Sequence, residues 1–295
     1  MKSLGKKSSI AFIGTGLLGY PMAERLLQNG YNLKVYNRTY EKAATLKNLG
    51  AEITHSPFDA IVNSELIITV LTTFEANVDV LLSQQTSFKG KTVLQMGTIG
   101  TDENIELMKR ISELGGNYIE APVLGSIPQI KSGTLITLVG CSENLYRKWL
   151  PLLKIFGETV VHFGDVGKAS AAKLAYNQLI ASLTAAFSMS LGYVLSSNVD
   201  IDKFMTILRE SALYSPTFDK KLPKMLSGDF TNPNFPLKHL LKDVEIIKKD
   251  FARKNIDTKI LSAITEILRK GIEQGDADLD YSAIFNSIRS IANGN

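Results

Sequence analysis

The chain has 295 residues, 44% of them hydrophobic and 21% charged, and carries a net charge of +4. That composition belongs to soluble globular proteins and excludes disordered, collagen-like and disulfide-framework classes; the length suggests two domains with ample chain for a core. The single Cys141 excludes an intrachain disulfide and a cysteine metal cluster, and His55, His162 and His239 show no metal-ligand spacing, so no metal is expected.

The basic start, Lys2, Lys6 and Lys7, is too short and too rich in Ser and Gly to argue for nucleic acid and reads as a solvated tail. The mild positive balance suits an anionic ligand. The first apolar run, Ile10 to Ile13, is only a strand's length, so no secretory signal is visible. With its lone cysteine the chain is expected in a reducing compartment, most simply the cytoplasm.

Ile10–Ile13 reads as a buried strand, followed at once by Gly14-Thr15-Gly16-Leu17-Leu18-Gly19. A helix from Pro21 to Gln28 stops at Asn29-Gly30, and Tyr31–Tyr36 is a second strand. Strand, G-x-G-x-x-G, helix and strand within about 30 residues is the context a dinucleotide fingerprint needs. In it Gly14 serves the tight turn, Gly16 the approach of the pyrophosphate and Gly19 helix–strand packing, with the helix N-terminus facing the phosphates. The second strand ends in Asn37-Arg38-Thr39, where an NAD site usually has a carboxylate for the ribose. An amide, a cation and a hydroxyl favour NADP(H), with Arg38 on the 2′-phosphate and NAD(H) as the alternative.

The alternation continues with a helix over Tyr40–Leu49, strands Leu66–Leu71 and Thr92–Met96, a helix Asp102–Leu114, and strands Asn117–Glu120, Leu135–Val139 and Thr159–Phe163. Strands alternating with helices predict an α/β Rossmann-type doubly wound sheet over residues 1–165. In such sheets ligands lie beyond the carboxyl ends of the strands, so the turns at Leu71-Thr72, Gly97-Thr98 and Pro122–Ser126 converge on the nicotinamide end.

Residues 166–295 show no strand signal and read as an all-α domain. Leu174 to Val199 carries no Asp, Glu, Lys, Arg or His, and a helix so free of charge is normally buried. Its length also suits a membrane span, but Asn177, Gln178, Ser182, Thr184, Ser188 and Ser190 and the lack of aromatic belts favour a core helix, and no membrane is expected. Lys173 stands at the edge of this helix with Asn177 four residues on, on the same face. Taken alone it reads as a snorkelling lysine; burial instead would lower its pKa and make it a proton donor near neutral pH. Helices follow over Asp202–Ala212, Pro236–Lys254, Lys259–Gln274 and Ser282–Ala292, and Pro216, Pro223, Pro233 and Pro236 mark a connection. The long apolar helix leads to the expectation of a homodimer or homotetramer.

Taken together, these motifs resemble the β-hydroxyacid dehydrogenase family, over residues 8–292. The cofactor motif runs from Gly14 to Ala23. The family's D-A-P-V-S-G-G substrate motif appears as Glu120-Ala121-Pro122-Val123-Leu124-Gly125-Ser126, its G-x-x-G-x-G-x-x-x-K-x-x-x-N motif as Gly164 to Asn177, and its C-terminal Lys-Asp pair as Lys242-Asp243. The resemblance implies an NADP(H)-dependent oxidoreductase that interconverts a small aldehyde acid and its hydroxy acid. Lys173 would be the general acid/base and Asn177 its orienting partner. Pro122, Leu124, Gly125, Ser126 and Lys242 would serve the substrate. Gly14, Thr15, Gly16, Leu17, Leu18, Gly19, Asn37, Arg38, Thr39, Leu71, Thr72, Thr98 and Lys242 would serve the cofactor. Leu124 stands where the family has a carboxylate-binding Ser, Ala169 replaces a motif Gly, and Gly97 stands where many members have Ser. Two alternatives are an imine reductase, whose members typically carry Asp or Tyr at the Lys173 position, and a catalytically silent dinucleotide-binding interaction protein.

Overall fold

A computed structural model describes residues 9–83 and 87–289. The basic start with Lys2, Lys6 and Lys7, and the end of the helix expected over Ser282–Ala292 from residue 290 on, lie outside the described residues. The chain forms two compact units, Met1–Leu174 and Ala175–Asn295, so the division falls inside a helix.

The first unit runs β1 (Ser9–Ile13), α1 (Gly19–Gln28), β2 (Asn32–Tyr36), α2 (Glu41–Ala44), β3 (Glu52–Ile53), α3 (Pro57–Val62), β4 (Leu66–Thr69), α4 (Phe74–Leu82), β5 (Thr92–Gln95), α5 (Thr101–Glu113), β6 (Asn117–Glu120), β7 (Val123–Leu124), α6 (Ile127–Ser132), β8 (Ile136–Gly140), α7 (Glu143–Leu153), β9 (Val160–Gly164) and the start of α8 (Lys168–Ser196). The sheet order is β3-β2-β1-β4-β5-β6-β8-β7, with β9 on β8. From β3 to β6 every pairing is parallel. Beyond β6 the doubly wound pattern changes: β8 runs antiparallel to β6 and β7 and parallel to β9.

The period of two along each strand divides the core. Ile10, Phe12, Ile68 and Leu94 face one hydrophobic layer, with Trp149 of α7. Ala11, Ile13, Ile67 and Val93 face the other, with Leu107 of α5. Both layers are covered, which is why these strands read as continuous apolar runs. The helix expected over Tyr40–Leu49 forms as α2 and then a 3₁₀ turn that Gly50 ends at φ 92°. Sequence reading passed over α3 and α4, although each has its cap: the Ser56 hydroxyl accepts from Asp59 N–H before Pro57, and the Thr73 hydroxyl accepts from Ala76 N–H.

The second unit holds the rest of α8, then α9 (Ile201–Glu210), α10 (Pro216–Ser227), α11 (Leu237–Arg253), α12 (Lys259–Glu273) and α13 (Ile284–Arg289). The proline-marked connection contains a full helix, α10. Pro216 sits in its first turn, where a missing N–H costs nothing, and buried Phe218 and Met225 anchor it despite the interior Pro223. Phe218 stacks on Phe187 of α8 at 4.6 Å.

The expected burial of α8 holds for one face. Ala181, Thr184, Ser188 and Leu191 are buried, whereas Leu179 is 51%, Met189 61% and Tyr193 75% exposed. Among the described residues α8 is the one helix long and apolar enough to cross a membrane by length and composition.

A buried ion pair ties α10 to the segment before α13. Asp280, fully buried, accepts from Lys221 Nζ at 2.7 and 2.9 Å and from the Ser282 hydroxyl at 2.6 Å. Removing one partner leaves a buried charge uncompensated. Lys221→Met is expected to lower unfolding stability by about 3–5 kcal/mol, read as a drop in the urea midpoint, and Lys221→Met with Asp280→Asn to recover part of it.

Candidate active site

The end of β1 turns sharply into α1. Gly14 adopts φ +97° and donates its N–H to the Tyr36 carbonyl at 2.9 Å. A Cβ at Gly19 would collide with the Gly14 carbonyl oxygen, so Gly19 lets the helix start against the turn. A Cβ at Gly16 would meet nothing within 4 Å, which makes Gly16 the open side of the loop. A groove of about 430 Å³ opens beside it, lined by Gly16, Leu17, Tyr20, Pro21, Glu24, Ile127 and Lys131. Leu17 is exposed and Leu18 half-buried. Thr15 is buried, with a hydroxyl that has no partner in the protein. A bare backbone cradle at a helix N-terminus, with a spare hydroxyl donor, fits the pyrophosphate of a dinucleotide.

Asn37 holds this loop from the end of β2. Its Oδ1 accepts from Thr15 N–H at 2.9 Å and its Nδ2 donates to the Thr39 carbonyl at 2.8 Å. The carboxamide is therefore engaged within the protein. Arg38 and Thr39 beside it are exposed, and Arg38 makes no ion pair with any described residue.

The turns after β4 and β5 meet this edge directly. A Cβ at Gly97 would collide with the Leu71 carbonyl oxygen, and one at Gly14 would stand 2.9 Å from Leu71 Cδ2. Gly14, Leu71 and Gly97 thus form one continuous rim, with Thr72 exposed and Thr98 half-buried along it. In the turn after β6, Pro122 is buried, Leu124 half-buried in its β7 pairing with Ile136, and Gly125 at φ +122°. Ser126 caps α6: both its N–H and its hydroxyl donate to Gln129 Oε1, at 2.9 and 3.0 Å. The Ser126 hydroxyl, two residues from Leu124, is thereby occupied.

Glu120, the last residue of β6, is fully buried. Its Oε1 accepts N–H bonds from Gly167 at 2.8 Å, Ala169 at 2.9 Å and Ser170 at 3.3 Å, across the start of α8. Burial pushes this carboxyl above its usual range, and the bonds from Ser170, Ala169 and Gly167 pull it back. Nearby Cys141 is buried, and burial with the Glu120 and Glu143 carboxylates pushes its thiol up to about 12, so it stays protonated.

Along α8, Lys173 is half-buried and Asn177 buried. Within the second unit Asn177 Nδ2 donates to Asp243 Oδ2 at 2.6 Å. Lys242 Nζ forms an ion pair with Asp243 Oδ1 at 2.8 Å. Asp243 is buried and can only accept, so it draws the Asn177 NH₂ and leaves Asn177 Oδ1 as an acceptor with no partner in the protein. The positions marked from sequence thus form two groups: the Gly14–Thr98–Ser126 rim with Lys173 in the first unit, and Asn177 with Lys242 in the second. Sequence reading noted Glu120 only as the opening of a motif. A lone carboxylate between Ile119 and Ala121-Pro122 at the end of an apolar strand is the signal that could have marked it.

Comparison with known proteins gives the family. Residues 9–164 match the model described as the NAD binding domain of 6-phosphogluconate dehydrogenase, and residues 167–288 that described as NAD-binding of NADP-dependent 3-hydroxyisobutyrate dehydrogenase. The chloroplastic glyoxylate/succinic semialdehyde reductase 2 of Arabidopsis thaliana is 30% identical over 96% of this chain and 80% of its own length. The chain belongs to the β-hydroxyacid dehydrogenase family. As a β-hydroxyacid dehydrogenase it is an NAD(P)-dependent enzyme of the dehydrogenase/reductase class that acts on CH–OH groups. The 3-hydroxyisobutyrate dehydrogenase of Mycobacterium tuberculosis, solved with L-serine, shares its fold at TM-score 0.87 and 21% identity, over 96% of this chain and 99% of that one. An imine reductase from Pseudomonas sp. covers the same share of each chain at TM-score 0.64 and 22% identity. At such identities both are likenesses of fold alone.

The glycines of this β-hydroxyacid dehydrogenase separate fold from ligand. Gly16→Ala is expected to keep its melting temperature and weaken NADPH binding at least about tenfold, because the added methyl meets only the ligand. Gly19→Ala is expected to lose both binding and stability, since its methyl meets the Gly14 backbone. Fluorescence titration with NADPH beside thermal melts of the two variants checks this.

Proposed function

We propose that this enzyme is an NADP(H)-dependent reductase of a small aldehyde acid, of the glyoxylate or succinic semialdehyde type, working also in reverse on the hydroxy acid. The observation that carries the reading is Lys173, half-buried one turn before buried Asn177, on the helix whose start Glu120 holds to the dinucleotide-binding sheet. The name of the Arabidopsis relative supports the substrate class.

Bound NADPH would supply the hydride. Lys173 then donates its proton to the carbonyl oxygen as negative charge develops there, and its cation stabilises that charge. In the oxidative direction the neutral amine takes the hydroxyl proton. Asn177, fixed through its NH₂ by Asp243, keeps Oδ1 as an acceptor that would take a bond from an ammonium or hydroxyl donor and so orient the proton path. With Ser126 engaged by Gln129 and Leu124 apolar, the first unit would offer the carboxylate end of the substrate the Gly125 amide and Thr98. Arg38, exposed beside a carboxamide instead of a carboxylate, supports NADP(H) over NAD(H). The exposed apolar face of α8, with Met189 and Tyr193, supports a homodimer or homotetramer.

NADPH and NADH oxidation over glyoxylate, succinic semialdehyde, tartronate semialdehyde, methylglyoxal and a cyclic imine tests the reading. Turnover of an aldehyde acid with NADPH preferred is expected; turnover of the cyclic imine alone would replace the reading with an imine reductase. Lys173→Ala is expected to lower kcat by about 10²–10⁴-fold while NADPH affinity is kept. Arg38→Ala is expected to raise KM for NADPH by about tenfold to a hundredfold, the loss of a hydrogen bond to a charged group, and to leave KM for NADH unchanged.

A further inference from the structure

The first N–H groups of a helix have no partner within it, and the aligned peptide dipoles favour an anion at that end. In α8 that anion is a side chain from another element. Glu120 Oε1 takes the amides of Gly167, Ala169 and Ser170 from the end of β6. The neighbouring strand shapes the position of this oxygen. Gly140 of β8 pairs with Glu120 in register, and a Cβ there would collide with Oε1. Lys173 lies five residues beyond Lys168, about 7.5 Å along the axis at 1.5 Å per residue. Over so short a rigid span a shift of the first turn reaches Lys173 undiminished.

We infer that Glu120 is the positioning residue for Lys173: its carboxylate fixes where α8 begins against the sheet, and so where the Lys173 amine stands. The role rests on the reading of Lys173 as acid/base. Glu120 touches neither substrate nor cofactor in this scheme and acts through the helix. Gly140 belongs to the same device, as the space that lets the longer acid reach the three amides.

Five variants test it in the full-length enzyme: Glu120→Gln, Glu120→Asp, Gly140→Ala, the double Glu120→Asp with Gly140→Ala, and Lys173→Ala. Each is followed by kcat, KM, NADPH affinity and melting temperature. Gly140→Ala leaves the charge in place and displaces it. It is expected to lower kcat about tenfold to a hundredfold, the cost of a misplacement near 1 Å, with NADPH affinity within about twofold of the parent. Glu120→Gln is expected to move kcat the same way. Glu120→Asp, one methylene shorter, falls short of the three amides and is expected to lower kcat by itself; because Gly140→Ala acts through the same carboxylate, it should lower kcat less in that background than in the parent. Wild-type kcat in both Gly140→Ala and Glu120→Gln, whatever their melting temperatures, would reduce Glu120 to a cap for the fold and overturn the inference; where Glu120→Gln does not fold, Gly140→Ala and its smaller effect in the Glu120→Asp background decide. An inactive Lys173→Ala beside fully active Gly140→Ala and Glu120→Gln would sink the positioning role alone, whereas an active Lys173→Ala would sink the acid/base reading beneath it.

Discussion

A carboxylate with no exposure to water must find donors or give up its charge. Glu120 finds them in the first turn of a helix 29 residues long. The two needs answer one another: the helix has amides without partners, and the strand end has an acid without solvent. β6 is hydrogen-bonded to β5, and β5 to β4, so the start of α8 is referred through Glu120 to the strands whose ends form the dinucleotide rim. The fold thereby sets the helix that bears Lys173 by the same sheet that bears the glycine loop.

That rim depends on backbone meeting backbone. Gly19 lies against the Gly14 carbonyl, and Gly97 against the Leu71 carbonyl, with no room for a Cβ at either place. At Gly97 the chain packs two turns directly together. Gly16 differs from both, since nothing of the protein approaches it. Three glycines of one motif therefore do separate work: Gly14 takes a left-handed turn, Gly19 admits a helix, and Gly16 leaves a surface bare for a phosphate.

Much of this was legible in the sequence because it is periodic or local. The apolar runs of β1, β4 and β5 state a sheet covered on both faces, and Gly14–Gly19 between strand and helix states its ligand. What stayed hidden was either short or distant. Strands β3 and β7 have two residues each, too few for any alternation to show. The helix α10 was masked by Pro216 and Pro223, because a proline in a first turn reads the same as one in a loop until Phe218 and Met225 are seen buried. The bond from Asn177 to Asp243 spans 66 residues, and that from Glu120 to Ala169 spans 49, separations that no spacing rule covers. Charge-free composition also promised a fully buried α8, whereas Met189 and Tyr193 stand in the open. Composition reports what a helix can bury, and the single chain buries one face.

Asn177 in the second unit and the loop from Pro122 to Ser126 in the first are held in different ways. Asn177 is fixed by a buried carboxylate that can only accept, so its amide has one orientation and one free acceptor. The loop from Pro122 to Ser126 is held by its own local bonds instead: Leu124 in a two-residue strand, Gly125 in a left-handed turn, Ser126 folded onto Gln129. A change of side chain at Leu124 alters what the loop offers to a ligand while its backbone pairing to Ile136 stands. A substitution there leaves the bonds between Glu120 and the start of α8 in place. That separation leaves the backbone of the loop and the bonds of Glu120 to α8 independent of which side chain stands at position 124.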